Sequence, residues 1–288
     1  MPDRKKITIR TLQARKQEQQ RFAMLTCYDY TTACLMEEAG IETLLVGDTY
    51  AEVVLGHSTT LPVTVDHLVT IAGAVRRGAP TRYLVGDMPY LSYQVSPEEA
   101  IRHAGRFMAE AGCDCVKVEV DRRLLTTVER MASATIPVMA HLGLRPQSIQ
   151  SHGGYSIQGR KADQARQIIE DARLMEEAGA VALLLEAVPL QVAEVITSSA
   201  SIPVIGICSG RACDGQVLVV HDMLGLIAGH PPPSAKRYAS LHESMVTAFR
   251  AYHDEVSSGA FPSSSHGVSM DDSEWQILRD MLTRDDDD

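Results

Sequence analysis

The amino-acid sequence predicts an α/β fold, a (β/α)8 TIM barrel with a C-terminal helical extension. Eight short apolar runs recur along the chain, and amphipathic helical periodicity fills most of the stretches between them. The chain's 288 residues suffice for one such barrel, which takes about 250. Runs apolar on both faces, alternating with helices, indicate a parallel sheet covered by helices. Repetition of that unit eight times favours closure over an open sheet.

In chain order the expected strand segments are Phe22–Asp29, Thr43–Asp48, Arg82–Met88, Asp114–Val120, Ile136–Leu144, Ala180–Val188, Ile202–Gly210 and Gln216–Asp222. The expected helices include Tyr30–Ala39, Asp66–Arg77, Pro97–Ala111, Ala162–Ala178 and Leu190–Ser199. Ser96 stands before Pro97 as an N-cap ahead of a first-turn proline, and Glu98 and Glu99 suit the positive end of the helix dipole. Gly40, Gly78, Gly112 and Gly179 follow helical stretches, where a left-handed cap is expected. A loop insertion, Arg145–Lys161, follows the fifth strand and carries Gly153, Gly154, Tyr155 and Gly159. Ala235–Ser258 reads as one long amphipathic helix. These features divide the chain into a barrel domain with its C-terminal helix, 1–262, and an acidic tail, 263–288. The tail is expected to be disordered, with one short helix candidate at Ser273–Leu282.

Composition narrows the function classes. Hydrophobic residues make up 45% but aromatic ones only 5%, so aliphatic side chains must fill the core. The net charge is −10, concentrated in the tail, and an acidic body lacks the clustered Lys and Arg of a nucleic-acid footprint. No apolar run reaches the roughly 18–20 residues of a membrane span. The polar, basic N-terminal stretch is unlike a secretory signal, so a cytoplasmic location is expected. The six cysteines form no CxxC pair and no zinc-type spacing, which fits a reduced compartment.

In a barrel of this kind the strand C-termini face the active site. The second strand ends in Asp48 and Thr49, the third in Asp87, the fifth in His141 and the sixth in Glu186. The fourth carries Lys117 and Glu119 two apart, hence on one face. Several carboxylates meeting in one mouth would repel or protonate if uncompensated. Magnesium or another hard divalent metal resolves this, because it prefers oxygen ligands and keeps positions open for water or substrate. Asp48 and Asp87 are the candidate metal ligands, with Glu119 reached directly or through water. Other readings stay open here: a strand-end aspartate also serves as a helix N-cap, Lys117 also suits a buried bridge to Glu119 or Glu186, and His141 also suits a satisfied core position. Spacing alone indicates a metal-dependent barrel enzyme.

The strings TCYDYTTA, GHSTTLPVTVDHL, AVRRGAP, AHLGLRPQS, GGYSIQGR, LLLEAVP and IPVIGICSGRACDGQVLVVHD resemble the ketopantoate hydroxymethyltransferase family, in order from about Ile7 to Pro262. The resemblance implies a barrel of the phosphoenolpyruvate mutase and isocitrate lyase superfamily. It implies hydroxymethyl transfer from 5,10-methylenetetrahydrofolate, a folate co-substrate, to the 2-oxo acid 3-methyl-2-oxobutanoate, giving ketopantoate for pantothenate. It also implies a magnesium cofactor and a cytoplasmic homo-oligomer, commonly a decamer. Carried over by position, Asp48 and Asp87 match the family's metal-binding aspartates, and Glu119 an acid of the metal shell. Lys117 and His141 match substrate contacts, and Glu186 the proposed proton-transfer glutamate. Thr49 stands where a serine touching the substrate carboxylate is usual, and Tyr28 falls in the YDY string near the substrate.

The sequence departs from the family pattern around the expected pocket. Thr49-Tyr50-Ala51-Glu52 stands where Ser-Leu-Gly-Met is usual, Cys208 replaces a glycine, and Ser234 replaces an aromatic residue. Two alternatives to the family reaction follow. One is a paralogue acting as a hydroxymethyltransferase or an aldolase or lyase on a different 2-oxo acid; the other is a non-catalytic scaffold barrel.

Overall fold

The computed structural model describes residues 5–152, 154, 156–227 and 235–285. Eight strands, β1 Phe22–Thr26, β2 Thr43–Val46, β3 Tyr83–Asp87, β4 Cys115–Glu119, β5 Val138–Gly143, β6 Ala182–Glu186, β7 Val204–Ile207 and β8 Gly215–Leu218, run parallel and close into a barrel with β8 beside β1. Each lies within one of the expected segments or within a residue of it. The eighth run was expected to continue to Asp222. Instead its valines leave the sheet after Leu218, and Val220 donates its N–H to Thr26 Oγ1 at 2.9 Å.

The helices in chain order are α1 Ile9–Gln17, α2 Tyr30–Ala39, α3 Tyr50–Val53, α4 Val65–Gly78, α5 Pro97–Ala109, α6 Leu125–Ser133, α7 Ile149–His152, α8 Ala162–Glu177, α9 Leu190–Ser199, α10 Val220–Met223, α11 Leu241–Ser258 and α12 Asp272–Asp285. Ser96 caps α5 by accepting from Glu99 N at 3.2 Å. Gly40, Gly112 and Gly179 adopt the expected left-handed backbone, with φ of 84°, 69° and 95°. Gly78 does not; it ends α4 in helical conformation. A Cβ there would meet Tyr30 O at 2.5 Å and Ala33 Cβ at 2.8 Å, so this glycine lets α4 and α2 approach closely.

Alternation along the strands separates two buried clusters. Residues facing the helices, such as Val116, Val118, Leu183 and Leu185, join the larger one. Residues facing inward, among them Met24, Leu45, Tyr83, Val85, Met139 and Leu184, fill the barrel. Leu12 of α1, wholly buried, packs into the inner cluster, which stabilises the fold by about 1.5–3 kcal/mol for a leucine taken from water.

The chain divides into two compact units, one through Ala239 and one from Ser240. The division falls earlier than the expected boundary at 262 and groups α11 with the C-terminal residues. The long helix begins at Leu241 rather than at Ala235. The acidic tail, expected to be disordered, carries α12 over the position of the short helix candidate. Its helix-forming Glu, Gln, Leu, Met and Arg residues favour that conformation, while Trp275, Ile277 and Met281 stay exposed. Among the described residues no helix is long and apolar enough to cross a membrane.

Candidate active site

The inward alternation that fills the barrel with aliphatic side chains changes character at the strand C-termini. One residue after Val85 in that alternation comes Asp87, after Cys115 come Lys117 and Glu119, after Met139 comes His141, and after Leu184 comes Glu186. The register sets Asp87 beside Lys117 and Glu119 beside His141 on adjoining strands. Above them opens a cavity of about 790 Å³ whose wall includes Asp48, Thr49, Asp87, Lys117, His141 and Glu186. The rest is largely aliphatic, as with Leu45, Leu144, Leu184 and Ile207. Tyr28 and Glu119, also expected at the site, stand behind this wall. Tyr28 reaches it through a 2.5 Å hydrogen bond between its hydroxyl and Thr49 Oγ1. Glu119 is buried, and its Oε1 lies 3.9 Å from His141 Nδ1.

The charges are closely coupled. Lys117 Nζ is 2.9 Å from Asp87 Oδ1, an ion pair between two buried groups. Burial pushes Asp87 up to about 8, with the nearby Asp48 charge adding to it and Lys117 opposing it. Glu119 is held well above the ordinary carboxylate range, first by burial and then by Asp48 and Asp87. For Lys117 burial acts downward, but the charges of Asp87, Asp48 and Glu119 together keep its ammonium above the usual value. His141 is pushed down by burial and by Lys117, so its imidazole is neutral. Lys117 has only donors, and it lies 3.3 Å from His141 Nδ1. Nδ1 is therefore the acceptor and the proton sits on Nε2, 3.2 Å from Glu186 Oε2.

A network that sequence reading did not anticipate holds the acids in place. Asp48 N donates to Asp87 Oδ2 at 2.9 Å. Gln147, in the 3-10 turn Pro146–Ser148 after β5, donates from Nε2 to Asp48 Oδ2 and to Met88 O, each at 2.9 Å. Its backbone N–H reaches Glu119 Oε2 at 3.0 Å. Tyr93, wholly buried, donates to Gln147 Oε1 at 2.9 Å and accepts from Glu119 N at 3.0 Å. Gln147 lies within the AHLGLRPQS string, which marks the segment but not the contact.

Among the described residues no three His, Cys, Asp or Glu side chains form a ready ligand set for a metal ion. Two aspartates can still hold magnesium, which is commonly bound through one or two carboxylates and keeps several waters. The site suits such a cation. Three acids share one lysine, and the buried Glu119 Oε1 accepts no hydrogen bond.

The departures from the family pattern are placed unevenly. Glu52 and Cys208 line the cavity. Ala51 is fully buried in the cluster between strands and helices, away from the wall. Ser234 lies outside the described residues, as do Gly153 and Tyr155 of the loop insertion.

The model of ketopantoate hydroxymethyltransferase matches residues 6–264. The chain belongs to this family. A 3-methyl-2-oxobutanoate hydroxymethyltransferase of Syntrophus aciditrophicus is 47% identical over 91% of this chain and 96% of its own. One of Clostridioides difficile is 44% identical over 95% and 99%. Membership makes the chain an enzyme, a transferase, and sets the scaffold alternative aside. Among solved structures, a phosphonopyruvate hydrolase aligns with a TM-score of 0.61 at 10% identity, covering 96% of each chain. A 2,3-dimethylmalate lyase, a member of the PEP mutase/isocitrate lyase superfamily, aligns with a TM-score of 0.57 at 17% identity, covering 96% of this chain and 97% of its own. These likenesses concern the fold.

Proposed function

We propose that this member of the ketopantoate hydroxymethyltransferase family transfers a hydroxymethyl group from 5,10-methylenetetrahydrofolate to a 2-oxo acid, 3-methyl-2-oxobutanoate or a close analogue. The observation that carries the reading is the pairing of Lys117 with Asp87 beside Asp48, with Glu186 on the same cavity wall. Asp48 and Asp87 would hold a divalent cation, with Glu119 touching its outer shell. Bound there, magnesium supplies Lewis-acid stabilisation of negative charge on the keto oxygen.

The chain's own residues supply the remainder. Lys117, kept charged by its acids, stands ready for the substrate's anionic oxygens as preorganised electrostatic stabilisation. The Thr49 hydroxyl, hydrogen-bonded to Tyr28, would bond the carboxylate. Glu186 takes the proton from the carbon next to the keto group, and the electrons of that C–H bond pass to the enolate. The neutral His141, its Nε2 carrying the proton 3.2 Å from Glu186 Oε2, adds no competing base there. Water adds to the donor's methylene bridge and its two C–N bonds break, so tetrahydrofolate leaves and the carbon is released at the formaldehyde level. The enolate carbon attacks that carbon, the C=O electron pair moves to its oxygen, and the oxygen takes up a proton as the new hydroxyl. About 790 Å³ exceeds what a small 2-oxo acid fills, leaving room for a donor to enter above it.

The experiment is magnesium-dependent exchange of the proton next to the keto group, followed by ketopantoate formation when methylenetetrahydrofolate is added. Exchange without magnesium, or none with any branched or linear 2-oxo acid, would sink the reading. Glu52 and Cys208 on the cavity wall favour a second form of it, in which the same chemistry runs on a 2-oxo acid of different side chain.

A further inference from the structure

Gln147 is 4% exposed, and every hydrogen-bonding position of its carboxamide is in use. Nε2 gives one hydrogen to Asp48 Oδ2 and one to Met88 O, both at 2.9 Å. Oε1 accepts from the Tyr93 hydroxyl at 2.9 Å and from Gln94 Nε2 at 3.1 Å. The two faces of the amide cannot be exchanged, since a carboxylate and a carbonyl both require donors. A glutamate at 147 would set oxygen against oxygen at Asp48 and Met88.

The same residue holds Glu119 Oε2 through its backbone N–H at 3.0 Å. Gln147 thus touches the turn after β2 through Asp48, the residue after β3 through Met88 and the end of β4 through Glu119. The three acids share one pattern. An N–H anchors one oxygen of each: Gln147 Nε2 on Asp48 Oδ2, Asp48 N on Asp87 Oδ2, and Gln147 N on Glu119 Oε2. On Glu119 the other oxygen accepts no hydrogen bond, and on Asp87 the other faces Lys117 Nζ at 2.9 Å.

We propose that Gln147 is the positioning residue for the divalent cation: its carboxamide, locked by Tyr93, fixes the rotation of Asp48 so that one oxygen stays committed to the protein and the other meets the cation. The proposal rests on the reading of Asp48 and Asp87 as cation ligands. Gln147 touches neither substrate nor cation; it acts through Asp48. Supporting residues of this kind typically change metal affinity or activity by about 10- to 100-fold when removed.

The test uses Mn2+ as the probe, titrated into the full-length protein without substrate and followed by electron paramagnetic resonance. Gln147→Met keeps the length of the side chain and removes its donors. Its Kd for Mn2+ should rise about 10- to 100-fold, while Tyr93→Phe gives a smaller rise. Because Tyr93 holds both Gln147 Oε1 and the Glu119 backbone, the loss in the double variant should be less than the sum of the two single losses, as expected for residues in one network. In turnover, the magnesium concentration for half-maximal rate should move more than the rate at saturating magnesium. A purely structural role would lower the melting temperature and leave these quantities in place.

Mn2+ binding by Gln147→Met within about twofold of the parent, with Asp48→Asn weakened, overturns the positioning role and leaves the cation site standing. Parent-like binding by both Asp48→Asn and Asp87→Asn overturns the cation site and this inference with it. If Gln147→Met does not fold, Tyr93→Phe decides: unchanged Mn2+ affinity refutes the proposal, and a loss supports it.

Discussion

Lys117 and Asp87 stand in register on neighbouring strands, both buried, with Nζ 2.9 Å from Oδ1. Removing one partner of a buried pair leaves an uncompensated charge, at a cost of about 3–5 kcal/mol. Lys117→Met should therefore lower the stability of the metal-free protein by up to that amount above about pH 8, and by less below it, where Asp87 takes up a proton; saturating magnesium should recover part of it. Urea denaturation with EDTA and with magnesium measures both. An unchanged midpoint in EDTA would show that the pair is not coupled to stability.

The same carboxyl sets a pH dependence. Asp87 is raised from 3.8 to about 8 by burial and the neighbouring Asp48. In the native state it binds its proton more tightly than in the unfolded state. Its contribution to stability is thus fully present below about pH 4 and lost as pH rises through about 8. The metal-free parent should lose stability across that window through this group. Asp87→Asn, which carries no charge to bury, should show a shallower fall. A melting-temperature series from pH 5 to 9 in EDTA compares the two, and identical slopes would refute the assignment.

Asp48→Asn and Asp87→Asn should each keep the fold yet lose magnesium-dependent turnover by on the order of 100-fold or more, the scale of a few kcal/mol of lost charge stabilisation. Circular dichroism checks the first part and initial rates against magnesium the second. Parent-like rates at ordinary magnesium in either variant would exclude that residue as a ligand.

Glu186→Gln should reduce proton exchange by about 10²–10⁴-fold, the usual weight of a general base. Binding of the 2-oxo acid should persist, since the amide keeps the shape. Exchange measured by NMR in deuterated solvent, beside calorimetric binding, separates the two. Unchanged exchange would move the base to another group.

The barrel was legible because each strand is a short apolar run bounded by polar residues, and the polar residue ending it points into the mouth of the barrel. Asp48, Asp87, Lys117, His141 and Glu186 come together on one cavity wall for that reason. What escaped has a common cause. α1 presents few apolar residues in a regular helical stripe and takes its place from packing, as Leu12 shows. Gly78 looks like a helix cap in sequence, yet it serves a close helix contact visible only when α2 and α4 are side by side. Gln147 and Tyr93 are loop residues whose significance lies in partners 99 and 26 positions away along the chain, and no local pattern marks such a pair.

The last prediction concerns side-chain selection. Cys208 is exposed to the cavity at the end of β7 and has φ of 54°, a left-handed backbone that costs a non-glycine residue about 1–2 kcal/mol. Cys208→Gly relieves that strain and adds flexibility to the unfolded chain, so the two effects partly offset and the variant should fold. It also removes side-chain volume from the wall. Overpacking of a fitted site typically costs about 1–3 kcal/mol, which corresponds to roughly a 5- to 150-fold change in kcat/KM. The variant's ratio of kcat/KM for 3-methyl-2-oxobutanoate over 2-oxobutanoate should rise within that range. Ala51→Gly, which from sequence alone belonged to the same pocket, should leave the ratio unchanged, because its methyl group packs into the core rather than the cavity. It should instead lower stability by about 1–2 kcal/mol, from a lost buried methyl and a glycine in a helix. If the parent already takes 3-methyl-2-oxobutanoate as its better substrate and Cys208→Gly leaves the ratio where it was, Cys208 has no part in choosing the 2-oxo acid.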